Sequence, residues 1–186
     1  CQKNNLLNIV DAISMFVTDE IDMQAHHIDT VIISSQKGLA LPPGLTMVVL
    51  NPKSLEKVQT IRSHYFNFKN YLKDGERGQT PYTPAVTIML QLLARLEQIE
   101  KDGGIAESIH KAKEMAEYFR EKIKDLPLKQ YTPYMPNAMT TLSPTDGKNA
   151  MQIVEDLEEH YNVMVCPNGG CLLYTSDAAD DMQCVD

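Results

Sequence analysis

Three short apolar runs constrain the fold of this chain more than any other feature. They cover residues 5–10, 30–35 and 45–50, and they consist mainly of Leu, Ile, Val, Met and Thr. Runs of this length, with little alternation of apolar and polar residues, are typical of strands that are covered on both faces of an α/β sheet. The third run follows a Pro-Pro-Gly turn. We therefore predict an α/β fold with three buried strands near the start of the chain.

Segments with helical periodicity follow these strands. Residues 52–62 predict a short helix, because Asn51 is a good N-cap and Pro52 occupies the first helical position. Residues 83–101 predict the strongest helix, with an apolar stripe at helical spacing, and Gly103 and Gly104 end it. Residues 105–123 form a second apolar stripe opposite a charged face. We expect both stripes to pack in a hydrophobic core.

The pattern changes after this second long helix. Residues 138–142 and 163–166 are strand-like, and residues 148–161 lie between them with helical spacing. This alternation is typical of a small α+β domain. We predict that residues 1–103 form the C-terminal part of a large domain and that residues 104–170 form an incomplete small C-terminal domain.

Both ends of the chain have features of a truncated protein. The first residue is Cys1, and an apolar run follows it without a lead-in. The segment CLLYTSDAADD, which begins at Cys171, resembles the in-frame translation of a sequencing adapter, and four Asp residues occur after it starts without compensating bases. We expect that residues 171–186 are a non-native tail and that the protein extends further at both ends.

Charge and cysteine content exclude several classes of protein. The net charge is -8 and the Lys and Arg residues are scattered, which argues against nucleic acid or an anionic membrane as a partner. No apolar run has the length that spans a bilayer. The four cysteines lack metal-ligand spacing, so we expect reduced thiols in a cytoplasmic protein and no metal site.

Lys37 directly follows the second predicted strand, in the segment SSQKGL. A lysine at a strand end that is partly shielded from water can form an imine with a carbonyl cofactor, although a solvated surface lysine is the commoner case. Asp11 ends the first predicted strand. Strand ends of an open α/β sheet share the edge where ligands bind, so the two side chains are expected there together. This pair suits pyridoxal 5'-phosphate, with an unrelated surface pair as the alternative.

The segment SSQKGLALPPGLTM resembles the cofactor-attachment segment of class V aminotransferases, the alanine–glyoxylate and serine–glyoxylate group. The preceding DAIS and the spacing of IDM and HHIDTV are similar to the same pattern. The resemblance implies a fold-type I enzyme in which Lys37 is the Schiff-base lysine, Asp11 pairs with the ring nitrogen and Gln36 contacts the cofactor phosphate. Met15, Phe16 and Val17 depart from the family, which usually has a small residue and Gly there.

A second segment extends the resemblance along the chain. GQTPYTPAV, residues 78–86, looks like the loop that reaches the cofactor phosphate of the neighbouring subunit. The resemblance assigns this contact to Thr83, with Thr80 as the weaker match, and it implies a homodimer. The family's Arg for the substrate carboxylate is not present, because the adapter-like tail begins where the chain should lead to it.

The resemblance implies that the complete protein transfers an amino group from alanine or serine to a 2-oxo acid such as glyoxylate or pyruvate. Lys37 acts in this scheme as general acid and base, and Asp11 keeps the ring nitrogen protonated. Another class V enzyme, a phosphonate aminotransferase or a desulfurase-type lyase, is the alternative among enzymes. Desulfurases have His before the Schiff-base lysine, where this chain has Gln36. A non-enzymatic α/β interaction module, in which Lys37 is incidental, is the alternative outside enzymes. We expect the 186-residue chain by itself to be inactive.

Overall fold

The computed structural model describes residues 2–58 and 62–166. The expected non-native tail at residues 171–186 lies outside these described residues. A short 3-10 turn at Gln2–Asn4 precedes the regular elements. In chain order, the strands and helices are β1 (Ile9–Asp11), β2 (Thr30–Ser34), β3 (Thr46–Leu50), α1 (Pro52–Lys57), α2 (Phe68–Gly75), α3 (Val86–Lys101), α4 (Gly104–Ile123), β4 (Leu128–Gln130), β5 (Leu142–Pro144) and α5 (Ala150–Tyr161).

The first three strands form one sheet with β2 in the centre. β1 pairs with β2 in parallel and β3 pairs with β2 antiparallel. β2 is buried along most of its length, as predicted, and Val31 and Ile33 are almost inaccessible to solvent. Their branched side chains fit a pleated surface that is covered on both faces. The central strand therefore gives a rigid base to the turn that follows it.

β1 is shorter and more exposed than the sequence indicated. The predicted buried strand covered residues 5–10, whereas β1 is Ile9–Asp11 and Ile9 is 58% exposed. The reason is its position in the sheet. Within the described residues β1 pairs only with β2, so it is an edge strand with one uncovered side. β3, on the other edge, also exposes part of its apolar surface at Val48 and Val49.

The buried carboxylate of Asp29 connects the starts of β1 and β2 to α1 through hydrogen bonds. Its Oδ2 accepts the backbone N–H of Asn8 at 2.7 Å and the Nζ of Lys53 at 3.2 Å, and its Oδ1 accepts the Nδ2 of Asn51 at 2.9 Å. The Asn8 hydrogen bond, followed by those of Asn51 and Lys53, holds the pKa of Asp29 below its ordinary value. Asn51 also caps α1 as predicted, by accepting the N–H of Ser54 at 2.8 Å.

The segment between β3 and α3 differs from the prediction. The helix predicted at residues 52–62 begins correctly at Pro52, but it ends at Lys57 because Val58 is already extended. α2 was not predicted. It begins after Asn67, whose side chain accepts the N–H of Lys69 at 3.2 Å and thereby caps it.

The two long helices lie close to their predicted positions. α3 begins at Val86, three residues after the predicted start, and α4 ends at Ile123 as predicted. At the junction, the N-cap Gly103 and Gly104, the first residue of α4, have φ values of 107° and 83°, which glycine adopts without strain. None of the helices in the described part of the chain has the length and apolar composition needed to cross a bilayer.

The apolar stripe of α3 does not form a core in the described chain, contrary to expectation. Ile99 is buried, whereas Leu90 is 62% exposed and Leu93 is 54% exposed. On α4, Ala116 is buried but Met115 and Phe119 are exposed. The stripe was identified correctly from its spacing, but burial also requires a covering partner, and the described residues leave most of this surface open.

The chain divides into two compact units within α3. One unit contains the chain before Val17 together with Ile21–Gln98, and the other contains Val17–Glu20 together with the chain from Ile99 onward. In the second unit β4 and β5 form an antiparallel pair, and α5 begins after its N-cap Asn149. β4 was not predicted. The strand expected at 138–142 overlaps β5 only at Leu142, and residues 163–166 do not form the predicted strand.

A four-residue segment, Val17–Glu20, is held within the second unit by Asn137. The backbone N–H of Asn137 donates to the Asp19 carboxylate at 3.0 Å, and its Nδ2 donates to the carbonyl of Thr18 at 2.9 Å. Val17 itself is only 5% exposed and has a φ of 76°. A β-branched residue rarely adopts this left-handed conformation, so the surrounding hydrogen bonds and burial impose it.

Candidate active site

Lys37 lies on a loop that begins where β2 ends and that the side chain of Ser35 closes. The Ser35 hydroxyl is fully buried; it donates to the carbonyl of Pro42 at 2.7 Å and accepts the N–H of Leu45 at 3.4 Å. The backbone adds two more bonds, from Ser35 N–H to the Leu45 carbonyl and from Leu41 N–H to the Ser35 carbonyl. Lys37, which is half-buried, is therefore carried by a loop whose two ends are fixed to each other.

Two further residues stabilise the same loop. Leu39 is completely buried beneath it, and the N–H of Ala40 donates to the Lys37 carbonyl at 2.7 Å. Gly44 has a φ of 131°, and a Cβ at that position would lie 2.8 Å from the Cδ1 of Ile88 on α3. The backbone conformation therefore favours glycine at the end of the Pro-Pro-Gly turn, and a side chain there would also displace the terminal methyl group of Ile88.

Asp11 lies at the carboxyl end of β1, opposite Ile32 of the parallel strand β2. The N–H of Ala12 donates to the Ile32 carbonyl at 2.9 Å, which continues the strand pairing past Asp11. The Oδ1 of Asp11 accepts the N–H of Ile13 at 2.9 Å, and this turn fixes the orientation of the carboxylate. The structure thus places Asp11 and the loop of Lys37 at the same edge of the sheet.

Gln36 lies beside Lys37 on the same loop and is exposed. Its Oε1 accepts a hydrogen bond from the hydroxyl of Ser34, the last residue of β2. The edge therefore brings together three of the residues singled out from the sequence, namely an amine, a carboxylate and an amide.

The two threonines lie on a different loop, which leads into α3. Both are exposed. The hydroxyl of Thr80 donates to the carbonyl of Tyr82 at 2.6 Å, so its one donor hydrogen is used within the loop. The assignment of the phosphate contact to Thr83 stays a prediction.

The sequence analysis overlooked a group of aromatic residues that supports the threonine loop. Tyr82 stacks on Tyr65 with ring centroids 5.0 Å apart and meets the edge of His64 at 5.4 Å. Its hydroxyl also donates to the carbonyl of His64. Partial burial, followed by the neighbouring Tyr65, raises the pKa of Tyr71, which borders the same group. The run HYFNF just upstream of GQTPYTP was the available signal for this group.

The fold of this chain is that of a fold-type I pyridoxal-phosphate-dependent transferase. Alanine–glyoxylate aminotransferase from Nostoc sp. superposes with a TM-score of 0.82 over 94% of this chain and 48% of that chain, at 23% sequence identity. Aspartate aminotransferase from Thermus thermophilus gives a TM-score of 0.81 over 91% of this chain, at 22% identity. Residues 1–172 match the model of the class-V aminotransferase family, and the chain belongs to that family.

Relatives identified by sequence extend well beyond the region that this chain matches. The soluble hydrogenase 42 kDa subunit of Anabaena cylindrica is 30% identical over 162 residues, which are 84% of this chain and 42% of that protein. Serine–glyoxylate aminotransferase of Arabidopsis thaliana is 35% identical over 104 residues, which are 54% of this chain and 26% of that protein. This chain thus spans less than half the length of these relatives.

Class-V aminotransferases use pyridoxal 5'-phosphate, and the groups at the sheet edge and on the threonine loop fit that cofactor. An aldehyde needs a primary amine, which Lys37 carries. A protonated pyridine nitrogen needs a carboxylate, which Asp11 carries. A phosphate needs N–H or O–H donors, which Gln36 and Thr83 carry. All of these residues lie in the first compact unit.

Proposed function

We propose that the complete protein is an aminotransferase that moves an amino group from alanine or serine to glyoxylate or pyruvate, with pyridoxal 5'-phosphate bound covalently to Lys37. The observation that carries this proposal is the sheet edge where Lys37 follows β2 and Asp11 ends the parallel neighbour β1. Ligands of open α/β sheets bind at the carboxyl ends of the strands, so this is the expected edge for a cofactor.

When bound, the cofactor supplies an aldehyde for the lysine and an electron-withdrawing ring that stabilises negative charge at the substrate Cα. Nζ of Lys37 holds the cofactor before the substrate arrives. With substrate bound, the same Nζ would remove the proton from Cα and so act as general base. The closed loop held by Ser35 keeps this amine at the sheet edge during the exchange.

Asp11 acts electrostatically on the ring nitrogen. The hydrogen bond from the N–H of Ile13 to Oδ1 orients its carboxylate, which would accept a hydrogen bond from the protonated ring nitrogen. A carboxylate next to this nitrogen favours its protonated form and thereby the electron-withdrawing state of the ring. Gln36 and Thr83 donate hydrogen bonds to the phosphate, Thr83 from the neighbouring subunit of a homodimer.

The choice of substrates rests on the named relatives. Serine–glyoxylate aminotransferase is among the relatives found by sequence, and alanine–glyoxylate aminotransferase is among the structural neighbours. Cysteine desulfurase has the same fold with a TM-score of 0.68. Gln36 stands where desulfurases have His before the Schiff-base lysine, which disfavours a desulfurase. We also propose a cytoplasmic location, since the four cysteines lack the spacing of a disulfide framework.

Borohydride labelling of the complete protein tests the proposal. Reduction after incubation with pyridoxal 5'-phosphate should fix the label on the peptide that contains Lys37, and Lys37→Ala should abolish the label. Lys53→Ala, which removes a strand-anchoring lysine in the same unit, is the control and should keep the label. Assays with alanine or serine and glyoxylate or pyruvate then identify the substrates. Label on another lysine would refute the assignment, and absence of any label would favour a non-enzymatic module.

A further inference from the structure

Ser34 makes a hydrogen bond to Gln36 that has no role in the aminotransferase function proposed above. It is the last residue of β2, is 7% exposed, and is held in place by pairing with Thr46 of β3. Its hydroxyl donates to the Oε1 of Gln36, and the carbonyl of Leu45 lies further away, at 3.3 Å. A hydroxyl has one hydrogen to donate, and the Gln36 oxygen is the nearer acceptor. A rigid strand residue therefore holds a side chain of the active-site loop.

In the observed geometry this contact sets which end of the Gln36 amide is presented outward. A glutamine amide has an acceptor oxygen on one side and two N–H donors on the other. Because Ser34 engages the oxygen, the Nε2 donors face away from Ser34, and Gln36 is exposed. An anion beside Lys37 then meets N–H groups, whereas the opposite orientation would present a carbonyl oxygen and repel it.

We propose that Ser34 is a positioning residue that orients the Gln36 amide toward the phosphate of the cofactor. This inference rests on the proposed function, because it requires the cofactor to lie at Lys37. Ser34 makes no contact with the phosphate itself; its effect passes through Gln36. Without the hydroxyl, the amide rotates freely between orientations and rotamers, and only a fraction of molecules is ready to bind.

The experiment measures dissociation constants of the complete protein for two ligands, pyridoxal 5'-phosphate and pyridoxal, which share the aldehyde and ring but differ in the phosphate. If Ser34→Ala lowers the fraction of correctly oriented Gln36 to between a tenth and a third, affinity for pyridoxal 5'-phosphate falls by roughly 3- to 10-fold. Affinity for pyridoxal stays unchanged. Ser34→Thr keeps the hydroxyl and should keep both affinities. In a Gln36→Ala background, Ser34→Ala should have no further effect.

Ser54→Ala is the matched control, because Ser54 is also a buried serine whose hydroxyl is hydrogen-bonded, in this case accepting from Thr30 at 2.8 Å. It should lower the melting temperature without changing the ratio of the two affinities. Equal losses for both ligands in Ser34→Ala would overturn the inference, since they would indicate a disturbed lysine loop. The inference would also be overturned if Ser34→Ala lowered the affinity for pyridoxal 5'-phosphate by the same factor in the Gln36→Ala background as in wild type. If wild-type protein carries no label at Lys37, the proposed function fails together with the inference.

Discussion

Asp11 and Ile32 are register partners in the parallel pairing of β1 and β2. Two residues after Ile32 the strand ends at Ser34, and Lys37 follows within the loop that Ser35 closes. The carboxylate and the amine are thus borne by neighbouring strand ends that hydrogen bonds hold together. The pairing of the two strands therefore limits the separation of the Asp11 carboxylate and the Lys37 amine.

Asp11→Asn should separate cofactor binding from catalysis in the complete protein. Asparagine can still accept the N–H of Ile13, so the turn and the covalent attachment at Lys37 should persist. A neutral amide cannot keep the ring nitrogen protonated, and the transamination rate should fall on the order of 10²-fold or more. Steady-state kinetics measures the rate and borohydride labelling measures the attachment.

Asp146→Asn is the control for this substitution, because Asp146 makes the same kind of turn by accepting the N–H of Lys148 at 3.2 Å. It should leave the rate unchanged. If the Asp11→Asn variant has the same transamination rate as this control, Asp11 has only a structural role.

Ser35→Ala should loosen the lysine loop. The substitution removes the donor to the Pro42 carbonyl and the acceptor for the Leu45 N–H, at a position with no solvent to replace them. We expect the free energy of unfolding to fall by about 1–3 kcal/mol. Amide exchange should accelerate most at Ala40, Leu41 and Leu45. Uniform acceleration throughout the protein would instead show that Ser35 contributes only to global stability.

The lowered pKa of Asp29 predicts an acid-sensitive anchor at the opposite edge of the sheet. In the unfolded chain the carboxyl titrates at its ordinary pKa of about 3.9, and in the folded protein it titrates lower. The stabilisation is therefore complete above the unfolded value and is lost as pH falls through the folded value. Asp29→Asn should lower the melting temperature at neutral pH, and its difference from wild type should shrink below about pH 4. A constant difference between pH 2 and pH 7 would contradict this origin.

The exposed stripe of α3 predicts that the 186-residue chain associates or aggregates when produced alone. Leu90 and Leu93 present a large apolar surface there, and such surfaces are aggregation hazards. Replacing both by Glu should reduce light scattering of the isolated chain. In the complete protein the same pair of substitutions should lower the melting temperature if further chain or a second subunit covers the stripe. A monomeric isolated chain with a cooperative melt and measurable transamination would contradict the expectation.

Much of the secondary structure could be predicted because its signals are local. The branched residues of β2, the Asn51 cap of α1 and the glycine pair at the start of α4 each indicate an element from a few neighbouring residues. α2 could have been predicted as well, since Asn67 is a good cap and Phe68, Tyr71 and Leu72 follow at helical spacing.

Burial and side-chain contacts could not be predicted in the same way. Whether Ile9 of β1 or Leu90 of α3 is covered depends on elements that are remote in sequence. The local pattern therefore indicated a strand and a helix correctly, but it wrongly indicated that both side chains are buried. Of the candidate site, Lys37, Asp11 and Gln36 followed from strand ends and the family resemblance. The roles of Ser34 and Ser35 depend on hydrogen bonds across the loop, which spacing alone does not encode.

Val17 combines two opposing preferences in one residue. Its left-handed backbone costs a non-glycine residue roughly 1–2 kcal/mol, whereas burial of a valine side chain contributes about 1.5–3 kcal/mol. Glycine at this position would remove the backbone cost but would also lose the contribution of the buried side chain. The two residues should therefore give nearly the same free energy of unfolding. Valine and glycine codons differ by a single base. A single base change can therefore exchange valine and glycine at this position with little change in the free energy of unfolding.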